Sequence, residues 1–528
     1  MAETSLGKLQ SQVIKLEKEV INYKDQAAVA KEEAKLFKAK YKYLQESVEK
    51  AINTAVSKAT SEVKKEYEKE VQRLNQRIFE LETRLNINST NSSLPSSKDP
   101  IYQSKICNSR KPTEKTKGGQ IGHKKHKLEK FENEEVTEIM PHVKIACPHC
   151  MSLELEEKSV KERDELDFDI KIIKRRHKFY EYTCKECGKI VKSEIPCYLH
   201  AENNYGANIK TLCSTLTNYG FISYNRTRKI VNGLTEEEID PSEGFITKLQ
   251  KQASSKLSNF NFDVKEKILK SKLNHWDDTV IKIGEKDKAC LRVYTDNLFV
   301  LYKAHISKDT GGMDEDGILQ NLPSDCTVMH DHLLHNYCDK YQYKNIECNA
   351  HIARKLEGIT QNTKHEWSNE MKILLESTLE KRYEYQEKNI DSFSKEFIKE
   401  FDNKYDSIIK NGLKEYIDFK HQYEFEREEN LLEFMRDYKG PITAWIRDFT
   451  LPYSNNLCER LLRMMKSKMK ISYQFTSLIY AEYFASIMTY TETCGRFGIN
   501  KVTALKRLFE DNPYMVDELL ELKKESDD

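Results

Sequence analysis

The sequence predicts a multidomain α/β protein, and three observations carry that expectation. A Lys- and Glu-rich start steps its apolar residues by three and four, the spacing of long pairing helices. In the middle, TVIKIG, ACLRVYT and LFVLYKAH are short β-branched and aromatic runs parted by the turn-prone GEKDKA and DN, which is the pattern of a three-stranded meander. Between His365 and Tyr438 the chain is mostly Glu, Lys, Tyr, Phe and Leu, without Pro and almost without Gly, so it reads as a helical insertion.

These shifts divide the 528 residues into segments. Residues 1–88 are expected to be coiled-coil oligomerisation helices, 89–130 a basic linker and 131–200 a zinc-ribbon-like domain. Residues 201–262 are a helical region, 263–500 an α/β domain whose helical insertion covers about 362–440, and 501–528 a C-terminal helix with an acidic tail.

Charged residues make up 32 % of the chain, yet the net charge is only +1. The imbalance is local: Lys105 to Lys127 holds eight Lys/Arg and the single acid Glu114. Basic patches on a neutral whole suit binding of nucleic acid at chosen surfaces. No apolar run approaches the roughly 18 residues that span a bilayer, so no membrane association is expected. MAETSLGKLQ lacks the basic-then-apolar order of a secretory leader, so the expected location is cytoplasmic. The 13 cysteines are then mostly reduced thiols, and paired spacings point to metal rather than disulfides.

In order along the chain, Leu6, Leu9, Val13, Leu16, Val20 and Tyr23 form one apolar seam, and Tyr67, Val71, Leu74, Ile78, Leu81 and Leu85 form another. They predict homo-oligomerisation through a coiled coil; the alternative is a helix folding back on its own chain. The Ser-, Asn-, Gly-, Pro- and Lys-rich stretch that follows is a linker. Its Lys124 and Lys125 are candidate phosphate contacts.

CPHC and CKEC come next, with Cys147, Cys150, Cys184 and Cys187 as candidate ligands. Two such knuckles let four thiolates converge on a structural Zn²⁺. Gly188 permits the tight turn after the last ligand, and His142 or His149 are substitutes should one Cys not bind. The intervening DFDIKIIKRRHKFYEYTC alternates like strands and exposes Arg175 and Arg176 as candidate DNA contacts. IKTLCSTLTNYGFISYNRTRKIVNGLT then reads as helix, turn at Tyr219–Gly220, helix, either a DNA-reading helix-turn-helix or an ordinary packed pair.

Three acids stand out by position. Asp277 lies where the first strand begins, Asp331 closes the strand TVMHD, and Glu459 opens a helix after Ser454 or Asn455 as N-cap. Acids on strand one, at the end of strand four and on a late helix are the arrangement of an RNase H-like core. Ordinary carboxylates are ionised at neutral pH. Three together require divalent cations, and hard oxygen donors suit Mg²⁺ or Mn²⁺. Such ions can hold the attacking and leaving oxygens of a phosphodiester. Alternatives stay open at two positions: Asp278 beside Asp277, since only one of two adjacent strand residues faces the site, and Asp325 for Asp331. His330 and His332 around Asp331 also raise an HDH metal site. Glu459, Arg463, Lys466 and Lys470 step by four, three and four, so they share one helix face, with the cations placed along a nucleic-acid backbone. Arg460 is a further candidate contact.

Taken together, these residues resemble the IS66 family of bacterial insertion-sequence transposases. The likeness runs through the NSS-P-SS element at Asn91 to Ser97, GGQIGH at Gly118 to His123 and Asp277-Asp278-Thr279. It continues through Cys348 to Lys355, Asn455 to Arg463 (NNLCERLLR), KISYQF and GINKVTALKRLF. Ile121, Asn349 and Asp278 depart from the family's Pro, Trp and Glu. The resemblance implies a DDE catalytic core with Asp277, Asp331 and Glu459 as metal-binding catalytic acids. It also implies that His351 and Arg354 support the site or contact DNA. The implied activity is binding of the terminal inverted repeats of double-stranded DNA, followed by metal-dependent strand cleavage and strand transfer. The resemblance further implies accessory transposition proteins as partners and a nucleoid location when DNA is bound. The alternative is a catalytically inactive, zinc-containing DNA-binding protein derived from a transposase.

Overall fold

The computed structural model describes residues 31–42, 60–92, 129–196, 198–199, 201–284, 287–420 and 425–527, together with Val13 and Leu44. All of the first apolar seam but Val13, most of the linker, GGQIGH, Lys124 and Lys125 lie outside the described residues. The chain divides into two compact units: the described residues of 1–103, 196–231 and 240–528 form one, and those of 104–195 and 232–239 the other.

The smaller unit carries both cysteine pairs. Its ladder is a short antiparallel hairpin, β1 (Glu181–Thr183) with β2 (Ile190–Lys192), in which Tyr182 faces Val191. The CKEC turn lies between these strands. The alternating stretch before it, residues 167–180, forms no strand. Alternation becomes a strand only where a partner offers ladder hydrogen bonds, and here the partner reaches Glu181–Thr183 alone.

In the larger unit residues 31–42 are helical, and α1 (Thr60–Asn86) follows. Leu74 and Leu81 of its apolar seam are buried within the chain, and Phe79 joins the core of the helical insertion described below. The helices α2 (Ala207–Ser214) and α3 (Tyr224–Leu234) are joined by a π turn at Thr215–Tyr219, followed by Gly220 and by Phe221 at φ +55°. The helix–turn–helix connection thus falls where the sequence predicts it. In α3, Arg226 and Lys229 are exposed, whereas Arg228 makes a two-point bond to Asp240 at 2.6 and 2.5 Å. Helices α4 (Glu243–Lys256) and α5 (Ser258–Leu269) lead into the sheet.

Five strands build that sheet: β3 (Leu273–Ile283), β4 (Asp287–Thr295), β5 (Val300–His305), β6 (Thr327–His330) and β7 (Lys344–Glu347). Their order is β5-β4-β3-β6-β7, with β3, β4 and β5 antiparallel and β6 and β7 parallel to β3. The meander follows the sequence reading, but β3 starts at Leu273, so Asp277 lies within the strand rather than where it begins; LNHW lacks β-branched residues and carries no strand signal. The short β7 is an addition, because KNIE has too few residues to show a period. The helix α6 (Thr310–Glu315) precedes β6, and α7 (Asn349–Thr363) follows β7.

Four helices, α8 (Glu366–Glu387), α9 (Lys395–Lys420), α10 (Glu426–Asp437) and α11 (Lys439–Arg447), then pack around Trp367, Tyr405 and Trp445 in a core that also takes Ile352, Leu356 and Ile359 of α7 and Phe79 of α1. The chain returns as α12 (Asn456–Ser472) and α13 (Leu478–Arg496), whose Cys458, Leu461, Met465, Phe484 and Met488 share a core with Ile281, Leu291, Val293 and Tyr302 of the sheet. The edge strand β5 is not left bare: Thr489 and Thr493 of α13 accept from the Tyr302 and Val300 amides at 2.9 and 3.1 Å, which removes a pairing edge. Helices α14 (Lys501–Phe509) and α15 (Val516–Asp527) follow. Among the described residues no helix is long and apolar enough to cross a membrane.

Candidate active site

The register of the central strands sets two acids level. Leu273 pairs with Thr327 and His275 with Met329 in the parallel β3–β6 ladder; the ladder ends there, and Asp277 and Asp331 follow two residues on, close enough for the charge of Asp331 to act on Asp277. Glu459 comes from the first turn of α12.

A buried asparagine fixes the entry of that helix. Asn455 is the N-cap, but its side chain does not cap. Instead Nδ2 donates to the Trp276 carbonyl at 2.8 Å, Oδ1 lies 3.2 Å from His275 Nδ1, and the backbone amide donates to Cys348 Sγ at 3.2 Å. The start of α12 is thereby tied both to the strand that carries Asp277 and to the residue that opens α7.

From α7, His351 reaches between two of the acids, with Nδ1 2.6 Å from Asp331 Oδ2 and Nε2 3.3 Å from Glu459 Oε1. One turn on, Arg354 Nη2 also lies 3.3 Å from Glu459 Oε1. Both side chains named by the family likeness therefore meet the acids. Burial disfavours an imidazolium, but the hydrogen bonds to Asp331 and Glu459 outweigh it and raise His351 to about 9. Glu459 is held down at about 2, first by the His351 hydrogen bond and then by the charges of His351, Arg354 and Arg463. Asp277 moves the other way, to about 8, because its carboxyl is buried and faces the charge of Asp331. The Glu459 carboxylate and the His351 imidazolium so coexist with an Asp277 carboxyl that resists ionisation.

The alternatives left open by the sequence have separate partners. Asp278 points to the other face of β3 and pairs with Lys308 at 2.5 Å. Asp325 is exposed before the start of β6, at the opposite end from Asp331. His330 Nε2 bonds Asn345 Oδ1 at 2.7 Å, and His332 Nδ1 bonds Glu347 Oε1 at 3.2 Å while its ring lies against Phe434. Neither imidazole shares a ligand position with the Asp331 carboxylate.

Asp331 Oδ1 is buried without a hydrogen-bond partner, an arrangement that is costly unless something else takes the lone pairs. Asp331, Cys348 and His351 also bring one ligand atom each within 4.8 Å of one another, the one such group among the described residues. That grouping is a poor metal set: burial pushes the Cys348 thiol up to about 12, and its sulfur already accepts the Asn455 amide. Asp277 and Glu459 bring no ligand atom into that group; as a donor type, carboxylate oxygen is what suits Mg²⁺ or Mn²⁺.

On the outer face of α12, Arg460, Arg463, Lys466 and Lys470 are exposed, and Arg463 lies 3.7 Å from Glu459. Arg175 and Arg176 are exposed in the smaller unit.

There, the two cysteine pairs adopt the same turn. The amides of Met151 and Gly188 donate to the carbonyls of Cys147 and Cys184 at 2.8 Å, with φ of +61° and +71°. In each, backbone amides inside the turn point at the first sulfur: those of His149 and Cys150 lower the Cys147 thiol, and those of Cys187 and Glu186 lower Cys184. Each pair is thus shaped as half of a thiolate site. The two halves are not drawn within ligand distance of each other.

Sequence reasoning did not find the clamp of Asn455 on His275 and Trp276, nor the bridge of His351. An Asn before a helix signals a cap, and only burial diverts its side chain elsewhere.

A family model described as Transposase IS66 family matches residues 205–482. A second, described as Family of unknown function (DUF6444), matches residues 11–129. No curated protein matches the chain. The first match covers the sheet, all three acids and the insertion between them, more than half of the 528 residues, and the chain belongs to the IS66 family of transposases.

Proposed function

We propose that this transposase works by a DDE mechanism on an RNase H-like core, with Asp277, Asp331 and Glu459 as its acids. The observation that supports this reading is that Asp331 and Glu459, from separate elements, meet at His351, while the Asp277 carboxyl faces the charge of Asp331. The three carboxylates would hold Mg²⁺ or Mn²⁺, which when bound activates water and stabilises charge on a reacting phosphodiester. The chain's own groups do the rest. Asn455 sets the height of Glu459 against Asp277. His351 and Arg354 aim the Glu459 carboxylate, and Arg460, Arg463, Lys466 and Lys470 hold the DNA backbone beside it. The chemistry would be hydrolysis at the ends of the element, which frees a 3′-hydroxyl, and attack of that hydroxyl on a phosphodiester of target DNA, which expels a new 3′-oxygen. No covalent protein intermediate is needed.

The cysteine turns support a structural Zn²⁺ held by Cys147, Cys150, Cys184 and Cys187, which requires the two halves to close on one ion. Exposed Arg175 and Arg176, and the basic Lys124 and Lys125, are assigned to DNA contact. The first apolar seam of the N-terminal segment is assigned to pairing of protomers at two DNA ends, whereas Leu74 and Leu81 of the second are already buried within the chain.

The test is a nicking and strand-transfer assay on duplexes carrying the element's ends. Asp277→Asn, Asp331→Asn and Glu459→Gln should each lose cleavage by about a thousandfold, the cost of several kcal/mol of transition-state stabilisation, while binding the duplex as the parent does. Cleavage retained in any one of them removes that residue from the trio. A wild type that binds these ends but never cuts them with Mg²⁺ or Mn²⁺ is instead a catalytically inactive DNA-binding relative.

A further inference from the structure

The strand that delivers Asp331 stops short of it. The last pair of the β6–β7 ladder is His330 with Glu347, and Asp331 is the next residue. Strand pairing therefore does not reach the acid, and side chains of β7 take over. On one side of Asp331, His330 Nε2 lies 2.7 Å from Asn345 Oδ1, and its Nδ1 lies 2.9 Å from the Asp331 carbonyl oxygen. On the other side, His332 Nδ1 lies 3.2 Å from Glu347 Oε1, and the Tyr337 hydroxyl donates to that same oxygen at 2.6 Å. Asn345 and Glu347 are two residues apart on one strand, so their side chains stand on one face of the sheet. The chain after Asp331 folds onto that face. Its Asn336 is fully buried and accepts from Trp276 Nε1 at 3.1 Å, and the Tyr337 ring meets His330 edge to face.

Glu347 is a costly residue to keep there. It is 1 % exposed, and its Oε2 is buried without a hydrogen-bond partner. Burial opposes its charge, yet the His332 bond, the neighbouring His330 and the Tyr337 bond leave its pKa below the ordinary carboxylate value. A residue that served packing alone needs no charge, because an apolar side chain of similar volume fills the place without the desolvation penalty. What the carboxylate adds is one oxygen that fastens two residues, His332 and Tyr337, of the chain leaving the acid.

We propose that Glu347 is a positioning residue for Asp331: through His332 and Tyr337 it fixes the chain that leaves the acid, and with it the contact of the Asp331 carboxylate with His351. The catalytic consequence rests on the DDE reading above; the placement of the carboxylate does not. Asp331 Oδ2 and His351 Nδ1 are 2.6 Å apart, and a hydrogen bond to a charged group depends on such closeness and alignment. A carboxylate misplaced by about 1 Å loses on the order of a hundredfold in rate.

The experiment uses the full chain, first without DNA or divalent cation. The proton in the short His351–Asp331 bond should resonate far downfield, and its signal is assigned by its loss in His351→Ala. In Glu347→Ala the signal should vanish or move upfield. In Glu347→Gln, which keeps an oxygen for His332 and Tyr337, it should stay. Tyr337→Phe removes one of the two bonds and little packing, so it should move the signal part of the way even if Glu347→Ala fails to fold. With duplex and Mg²⁺, Glu347→Ala should slow single-turnover cleavage about a hundredfold at unchanged duplex affinity, and Glu347→Gln should cut within about tenfold of the wild type. On an Asp331→Asn background, Glu347→Ala should slow the residual cleavage no further, because residues that act as a unit are not additive. A signal unmoved in both Glu347→Ala and Tyr337→Phe overturns the proposal, as does a full further loss on the Asp331→Asn background. A wild type that binds the duplex without cutting it, while the signal still responds to Glu347, overturns the catalytic reading and leaves the placement of Asp331 by Glu347 standing.

Discussion

His351 Nδ1 lies 2.6 Å from Asp331 Oδ2, and the opposite nitrogen of the same ring faces Glu459 at 3.3 Å. Without a cation, the imidazolium thus separates two carboxylates that would otherwise repel across the site.

The metal-free protein should reveal this bridge in its pH dependence. Glu459 is depressed from 4.5 to about 2, so its contribution is present above pH 4.5 and fades as pH falls towards 2. His351 is raised from 6.5 to about 9, so its contribution is present below pH 6.5 and fades as pH rises towards 9. The two share the His351–Glu459 bond, while Asp331 also raises His351 and Arg354 and Arg463 also lower Glu459; each is of the order of 3 kcal/mol. Thermal melts in chelator should show a maximum between those limits, and His351→Ala should flatten it. An unchanged profile in that variant assigns the maximum to other groups.

Added Mg²⁺ should raise the melting temperature, and more so at about pH 9 than at about pH 6, because cation binding competes with protons on its ligands. The sign follows from Asp277, which is raised from 3.8 to about 8 and so stays protonated in the cation-free site until the pH is alkaline. Asp331→Asn should abolish the shift. A shift of equal size at both pH values removes Asp277 from the ligand set.

Asp278→Asn tests the choice between neighbouring acids. Asp278 pairs with the half-exposed Lys308 on the other face of β3, so the change should cost no more than about 1 kcal/mol and leave cleavage within about twofold. Loss of cleavage equal to that of Asp277→Asn would reverse the assignment.

Elemental analysis should find one zinc per chain, lost in Cys147→Ser and in Cys184→Ser alike. A single substitution that leaves zinc bound would show that the two turns do not share an ion.

Gly358 in α7 permits close approach of the chain after α1: a Cβ there would lie 2.7 Å from the Asn91 carbonyl oxygen. Asn91 also bonds Gln361 Oε1 at 2.5 Å, from the turn where the NSS element begins. Gly358→Ala should destabilise by about 1–3 kcal/mol, as overpacking does, and expose the 86–92 turn to proteolysis first. A melting temperature equal to the wild type's would show that the turn shifts freely.

Much of the catalytic unit was legible in the sequence because its signals are local. Val280 to Ile283, Ala289 to Thr295 and Phe299 to His305 are β-branched or aromatic runs between turn residues, and Thr327 to His330 ends at an acid. Those strands formed where the pattern placed them. The residues around the acids were harder to read because their partners are distant. His351 meets Glu459 across more than a hundred residues, and Asn455 meets His275 across 180. No periodicity encodes such contacts. The alternation of residues 167–180 misled for a related reason: a strand needs a neighbour, and alternation alone does not supply one. The family likeness of NNLCERLLR singled out Asn455 and Glu459 together, but not that the asparagine clamps the strand.

The path between α7 and α12 makes a four-helix excursion before Glu459 appears, yet the seating of Asn455 depends on His275, Trp276 and Cys348 rather than on those helices. The excursion behaves as a cassette whose two ends are fastened to the same frame. Yet its packing reaches the site from behind: Ile352, Leu356 and Ile359 of α7 lie in the excursion's core and Asn349 Nδ2 donates to the Ile442 carbonyl at 2.9 Å, so repacking those helices would be felt by the helix that presents His351 and Arg354.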